Sequence, residues 1–254
     1  MKAAGEKIAV LTAYDYPTAR ILDASGIDVI LVGDSCANVI MGLPDTTRIS
    51  MDDMVHHTAM VARATQNALL VADMPFLSYQ VTPEDALRNA GRLVHEAGAQ
   101  AVKLEGPVSK FGAAIEAITH ADIPVMGHLG LTPQSVHKFG GYPLQGADDE
   151  AAVRMLEDAQ ALEAAGCIAV VLEKVPAQLG ARISKALVIP TIGIGAGPEC
   201  DGQVLVMHDM LGMGLKSKFV KVYAELGVAM AEAFEDYVQE VKQGTFPSTD
   251  HSFS

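Results

Sequence analysis

Basic residues are scarce: 18 Lys and Arg stand against 31 Asp and Glu, a formal net charge of −13 at pH 7. Nucleic acid and anionic membrane surfaces both require a positive patch, so neither is an expected partner. No apolar run approaches the roughly 20 residues that span a bilayer. The opening Met1-Lys2-Ala3-Ala4-Gly5-Glu6-Lys7 lacks the apolar core of a signal peptide. Cysteine is equally sparse. Cys36, Cys167 and Cys200 have neither metal nor redox spacing and leave one unpaired in any disulfide scheme. The expectation is a soluble cytoplasmic protein with reduced thiols. Low-complexity tracts and Pro- or Ser-rich linkers are also missing, so residues 1–254 read as a single domain. A chain of this length, half of it hydrophobic, buries a sizeable core without disulfides or a structural metal.

What is present is an alternation. Short apolar runs at 8–11, 29–32, 69–72, 101–102, 124–126, 168–172, 191–194 and 204–207 are rich in Val, Ile and Leu. They are not strictly alternating, as expected of parallel strands covered on both faces. Helical patterns lie between most of them, at 17–24, 52–65 behind Ser50 as N-cap, 82–97, 149–165 and 176–186. A longer C-terminal helix is expected at about 217–243, ending at Gly244. Eight strands with intervening helices predict a (β/α)₈ TIM barrel, although the connection after the seventh run is too short for a full helix. The run Gly193-Ile194-Gly195-Ala196-Gly197-Pro198 puts Pro where a dinucleotide fingerprint needs its last Gly. It reads equally well as a tight turn.

Chemistry concentrates at the strand ends, where a barrel builds its active face. Those positions hold Tyr14-Asp15, Asp34-Ser35, Asp73, Lys103 with Glu105, His128, Glu173 and His208-Asp209. A single acid after a strand is commonly a helix cap or turn former. Asp34, Asp73 and Glu105, however, follow consecutive strands and can converge, and unpaired carboxylates held together need a cation or protons. A salt bridge to Lys103 is one answer; a hard metal such as Mg²⁺, bound by oxygen alone, is the other. Such a metal would hold a 2-oxo acid and polarise its ketone. Glu173 is then the candidate base, because the apolar run before it can bury it and raise its pKa. Lys174 beside it could instead pair with it and keep it ionised. Lys103 and His128 would supply positive charge or donors to substrate oxygens. His56-His57 lacks metalloprotease spacing and reads as packing.

The motifs Leu31-Val32-Gly33-Asp34-Ser35, Val71-Ala72-Asp73-Met74-Pro75-Phe76 and Val102-Lys103-Leu104-Glu105-Gly106 resemble those of the ketopantoate hydroxymethyltransferase family. So do the runs 127–136, 172–176, 191–197 and 200–212, in order along nearly the whole chain. The resemblance implies a (β/α)₈ barrel of the phosphoenolpyruvate/pyruvate-binding type. It implies transfer of a hydroxymethyl group from 5,10-methylenetetrahydrofolate to 3-methyl-2-oxobutanoate, giving 2-dehydropantoate on the pantothenate pathway. It also implies Mg²⁺ and a homodecamer. The family's metal acids match Asp34, Asp73 and Glu105, and its base matches Glu173. Its substrate contacts match Asp34, Ser35, Asp73, Lys103 and His128.

The chain departs from the family pattern at Cys36-Ala37-Asn38 and at Lys174. The segment Gly42-Leu43-Pro44-Asp45 is similar to the loop of phosphoenolpyruvate mutase and isocitrate lyase relatives. A lyase or aldolase acting on another 2-oxo acid is therefore the alternative enzyme, and an inactive barrel serving in assembly the non-enzymatic one.

Overall fold

A computed structural model describes residues 1–141 and 143–253. It divides into two units, Met1–Val206 and Met207–Ser254. In the first, eight strands pair in parallel and close on themselves in chain order. They are β1 Ile8–Thr12, β2 Val29–Val32, β3 Leu69–Asp73 and β4 Ala101–Lys103. β5 Val125–Gly130, β6 Ala169–Glu173, β7 Thr191–Ile194 and β8 Gly202–Leu205 follow. Closure is made by β1 on β8, with Ala9 opposite Gln203. This is the predicted (β/α)₈ barrel, and every expected apolar run overlaps a strand, the last only at Val204-Leu205, because β8 ends there and Met207 opens a helix.

Side chains alternate across each strand. Val10, Leu31, Val71, Ala101, Met126, Val171 and Val204 pack with one another as the barrel interior. Ile30, Val32, Leu70, Ala72, Val102 and Leu172 face the other way, into the layer shared with the helices. The inward parity matters at the strand ends. Two residues beyond Val71, Ala101, Met126 and Val171, the same face carries Asp73, Lys103, His128 and Glu173. The top layer of the barrel interior is thus polar by sequence position alone.

The helices covering the sheet are α1 Tyr16–Ala24, α2 Cys36–Val39, α3 Met51–Ala62, α4 Pro83–Gly91 and α5 Val108–Thr119. α6 Val136–Phe139, α7 Asp149–Ala164 and α8 Ala177–Ala186 complete the unit. Ser50 caps α3 through a reciprocal capping box with Asp53. The helix expected over 82–97 is α-helical to Gly91 and widens to a π turn over Arg92–Glu96. No helix joins β7 to β8, because Gly197 brings that loop so close to α8 that a Cβ would sit 2.5 Å from the Ala177 Cβ. The glycine run is thus a close-packed turn.

Asp23, at the end of α1, is buried and accepts hydrogen bonds from the Asn67 and Ala68 N–H groups, each at 2.9 Å. It straps α1 to the start of β3. Lys2 Nζ reaches Asp201, at 2.9 Å, and the carbonyls of Ser184 and Ile189.

The second unit contains α9 Met207–Met210 and α10 Leu226–Gln243. The C-terminal helix starts at Leu226 rather than at about 217. The preceding stretch is tied down by its backbone, since the Tyr223 and Leu226 N–H groups donate to the Met210 and Leu211 carbonyls. Among the described residues, no helix is long and apolar enough to cross a membrane. The three cysteines are free and buried.

Candidate active site

At the C-terminal end of β2 the chain turns through Gly33 and Asp34 into α2, and Asp34 is 4 % exposed. Asp73 ends β3, Lys103 ends β4, Glu105 lies two residues beyond, His128 is in β5 and Glu173 ends β6. Lys103 Nζ lies 2.6 Å from Asp73 Oδ1 and 4.0 Å from Glu105 Oε1. The Asp34 N–H donates to Asp73 Oδ2 at 3.0 Å. His128 spans the remaining acids, with Nδ1 3.4 Å from Glu105 Oε1 and Nε2 3.5 Å from Glu173 Oε2. Neither ring nitrogen has a hydrogen-bond partner among the described residues, although both are buried. Buried polar atoms of that kind ordinarily have partners. Ser35, half-buried at the rim, shares a 2.8 Å hydrogen bond between its Oγ and the Tyr14 hydroxyl.

Four acids therefore surround one lysine. Burial alone would favour a neutral Lys103 amine, but Asp73, Glu105 and Asp34 outweigh it and hold the ammonium charged. Burial, then Glu105 and Asp73, push the Asp34 carboxyl well above the usual range. Burial raises Glu105 to about 7 against the pull of Lys103. Glu173 is raised to about 8, by burial and then Glu105, with Lys103 and more weakly Lys174 opposing. Burial and the Lys103 charge push His128 down to about 3. The ring is thus neutral, and it offers a donor and an acceptor rather than the positive charge it might have carried.

The sequence-predicted residues Asp34, Asp73, Lys103, Glu105, His128 and Glu173 lie together, with Ser35 beside them. Asp15 instead caps α1 through the Thr18 N–H. His208 and Asp209 belong to the second unit, where Asp209 accepts from the Leu215 N–H. His57 Nδ1 lies 2.7 Å from the Tyr14 carbonyl, a packing role. Lys174 is held at φ +46°, a left-handed conformation costly for a residue with a Cβ. Gly130, at φ +90°, lets the Leu131 N–H clamp the Glu173 carbonyl at 2.8 Å.

Two residues escape a reading of the sequence. Gln134 donates its Nε2 to Asp34 Oδ2 at 2.9 Å and its backbone N–H to Glu105 Oε2 at 3.0 Å. Tyr79 donates its hydroxyl to Gln134 Oε1 at 2.8 Å. Neither ionises near neutrality or follows a strand, so neither carries a local signal. The position of Gln134 within Leu131-Thr132-Pro133-Gln134 was the only pointer.

Excess buried negative charge suits a hard divalent cation. Both Asp73 oxygens are engaged, by Lys103 and by the Asp34 N–H. Asp34 Oδ1 and Glu105 Oε1 accept no hydrogen bond among the described residues. No group of three His, Cys, Asp or Glu side chains among those residues forms a ready metal cage. A cation that takes one or two carboxylates and otherwise keeps waters or substrate oxygens fits this donor set.

The family model for ketopantoate hydroxymethyltransferase matches residues 1–249. The chain is 58 % identical over 255 residues to the 3-methyl-2-oxobutanoate hydroxymethyltransferase of Geotalea uraniireducens, covering 100 % of this chain and 95 % of that protein. Among solved structures it is similar to the phosphoenolpyruvate phosphomutase of Streptomyces platensis subsp. rosaceus, with a TM-score of 0.63 at 18 % identity. That match covers 100 % of this chain and 89 % of the other. Phosphonopyruvate hydrolase in complex with oxalate and Mg²⁺ gives a TM-score of 0.65 at 14 % identity, over 98 % of this chain and 89 % of that one. These two likenesses concern the fold alone, a closed parallel (β/α)₈ barrel.

Proposed function

The chain belongs to the ketopantoate hydroxymethyltransferase family, a family of hydroxymethyltransferase enzymes, and we propose that it moves a one-carbon unit from 5,10-methylenetetrahydrofolate to 3-methyl-2-oxobutanoate, forming 2-dehydropantoate. What carries this reading is the buried set of four carboxylates around Lys103, with Glu173 its most exposed acid at 14 %.

Asp34 and Asp73 would hold Mg²⁺, with Glu105 bound directly or through water; each Asp73 oxygen keeps a lone pair beside its hydrogen bond to Lys103 or to the Asp34 N–H. Bound there, the metal supplies Lewis-acid polarisation of the oxo acid's ketone. Burial beside Glu105 and Asp73 disfavours the ionised Asp34 carboxylate, and a cation at this place would relieve that. Lys103, charged and buried, balances the substrate carboxylate and keeps Asp73 oriented. His128 presents a neutral N–H to a substrate oxygen from between Glu105 and Glu173, whose carboxylates lie 3.4 and 3.5 Å from its ring nitrogens. Ser35 Oγ, oriented by Tyr14, adds a donor at the rim.

Glu173 removes the proton from the carbon beside the ketone. A carboxylate whose pKa stands near 8 is a far stronger base than an exposed one and is still ionised in part near neutral pH. The resulting enolate carbon attacks the methylene carbon of the folate iminium; water then replaces the folate nitrogen on that carbon, which gives the hydroxymethyl group and releases tetrahydrofolate. The homodecamer that the family resemblance implies and the cytoplasmic setting expected from the sequence belong to the same proposal, and sedimentation velocity of the full chain checks the first.

Proton NMR of the protein with Mg²⁺, 3-methyl-2-oxobutanoate and 5,10-methylenetetrahydrofolate tests the reaction. Folate-dependent growth of 2-dehydropantoate signals is expected. Turnover of the oxo acid without folate, or none with it, contradicts the assignment and points to a lyase or aldolase, or to an inactive barrel.

A further inference from the structure

We propose that Gln134 is a positioning residue for the cation site, fixing which oxygen of Asp34 faces the metal and holding Asp34 and Glu105 at a set separation. The inference rests on the reading of Asp34 as a metal acid. Its basis is a hydrogen-bond network that leaves Gln134 no freedom.

Gln134 is 6 % exposed and uses its whole side-chain amide. One Nε2 hydrogen goes to Asp34 Oδ2 at 2.9 Å, the other to the Met74 carbonyl at 3.0 Å. A backbone carbonyl can only accept, so the amide nitrogen must face that side. Oε1 faces the opposite way and accepts from the Tyr79 hydroxyl at 2.8 Å and from Gln80 Nε2 at 3.2 Å. Tyr79 is held in turn by Glu105, whose N–H donates to its oxygen at 3.1 Å; its single proton faces Gln134 Oε1 at 2.8 Å and, at the longer distance of 3.1 Å, the Glu105 carbonyl. The backbone N–H of Gln134 completes the set on Glu105 Oε2 at 3.0 Å.

One residue from the β5–α6 connection thereby grips acids that follow β2 and β4. The consequence is geometric: Asp34 Oδ2 and Glu105 Oε2 are occupied by amide protons, and Oδ1 and Oε1 are left for a cation or its waters. Asp34 Oδ1 is the Asp34 oxygen that would face the cation in this arrangement. Residues that orient metal ligands in this way typically change metal affinity by about 10- to 100-fold when removed.

The test uses Mn²⁺ as probe for the full-length, metal-free protein, with free Mn²⁺ read by electron paramagnetic resonance and no substrate present. Gln134→Leu should weaken Mn²⁺ binding by about 10- to 100-fold. Tyr79→Phe, which frees the amide to turn, should weaken it in the same direction by less. Asp23→Ala, a substitution in the α1 strap that lowers thermal stability, should leave the affinity unchanged and so separates positioning from general loosening. Wild-type affinity in both Gln134→Leu and Tyr79→Phe overturns the inference. If Gln134→Leu does not fold, unchanged affinity in Tyr79→Phe alone does so. A wild-type protein that binds no Mn²⁺ instead removes the metal reading on which the inference stands.

Discussion

Lys103 sets the charge balance of the site. It is one cation among four buried carboxylates, and it lowers the proton affinity of Asp34, Glu105 and Glu173 alike. Replacing it with methionine keeps the bulk and removes the charge. Glu173 should then hold its proton to higher pH, so the alkaline-rising limb of kcat/KM moves upward from about 8 or below. The Michaelis constant for the oxo acid should rise as well, since the substrate carboxylate loses its counter-ion. A pH profile of Lys103→Met superimposable on that of the wild type would refute this role. Residues of this kind were legible before the structure because they ionise and stand at strand ends. Gln134 was not, since a neutral amide in a loop resembles any turn residue until the fold brings Asp34 and Glu105 to it.

Among the elements, β5 and β6 depend on a glycine. A Cβ at Gly130 would lie 2.2 Å from the Glu173 carbonyl oxygen, at a backbone φ of +90°. Gly130→Ala should cost at least about 2 kcal/mol from crowding and left-handed strain. It should also depress kcat, because what is displaced is the backbone of Glu173, the proposed base. Chemical denaturation and steady-state kinetics on one preparation check both. The α1 strap makes a second case. Burial alone would raise the Asp23 pKa, but the N–H groups of Ala68, Asn67 and Gln66 outweigh it and hold the carboxyl below its usual value. Asp23→Ala leaves those donors unpaired and should cost about 2–3 kcal/mol. The wild-type contribution is present above the unfolded pKa near 3.8 and disappears as pH falls through the lower folded value.

The strands were readable because parallel strands buried on both faces show as Val, Ile and Leu runs. α5 carries little helical signal in the sequence. It opens at Pro107 without a side-chain cap, holds Gly112, and is kinked at Phe111, whose φ is −123°. The start of α10 was placed about nine residues early because the sequence alone does not show the backbone bonds that pin residues 223 and 226.

On the scale of the molecule, the site opposes the fold. Glu105 and Glu173 are raised from 4.5 to about 7 and about 8, so between those values the folded chain binds protons that the unfolded chain has released. Stability should therefore fall as pH rises from about 4.5 to about 8 and level off above. This window lies above the one in which Asp23 acts. A divalent cation that binds only the folded state should reverse the loss, by about 2.7 kcal/mol at a hundredfold excess over its dissociation constant. Circular dichroism melts with and without Mg²⁺ from pH 5 to pH 9 check both signs, in a chain without tryptophan. A melting temperature that climbs steadily over that range would contradict the electrostatic account.

In the proposed reaction Glu173 takes the proton from the carbon beside the ketone. The most direct measurement of that step is deuterium wash-in at C3 of 3-methyl-2-oxobutanoate in heavy water with Mg²⁺ and no folate, followed by proton NMR. The wild type should exchange that position, and Glu173→Gln should do so about 10²- to 10⁴-fold more slowly with little change in substrate affinity. Equal exchange in the two proteins would contradict the claim and require another base.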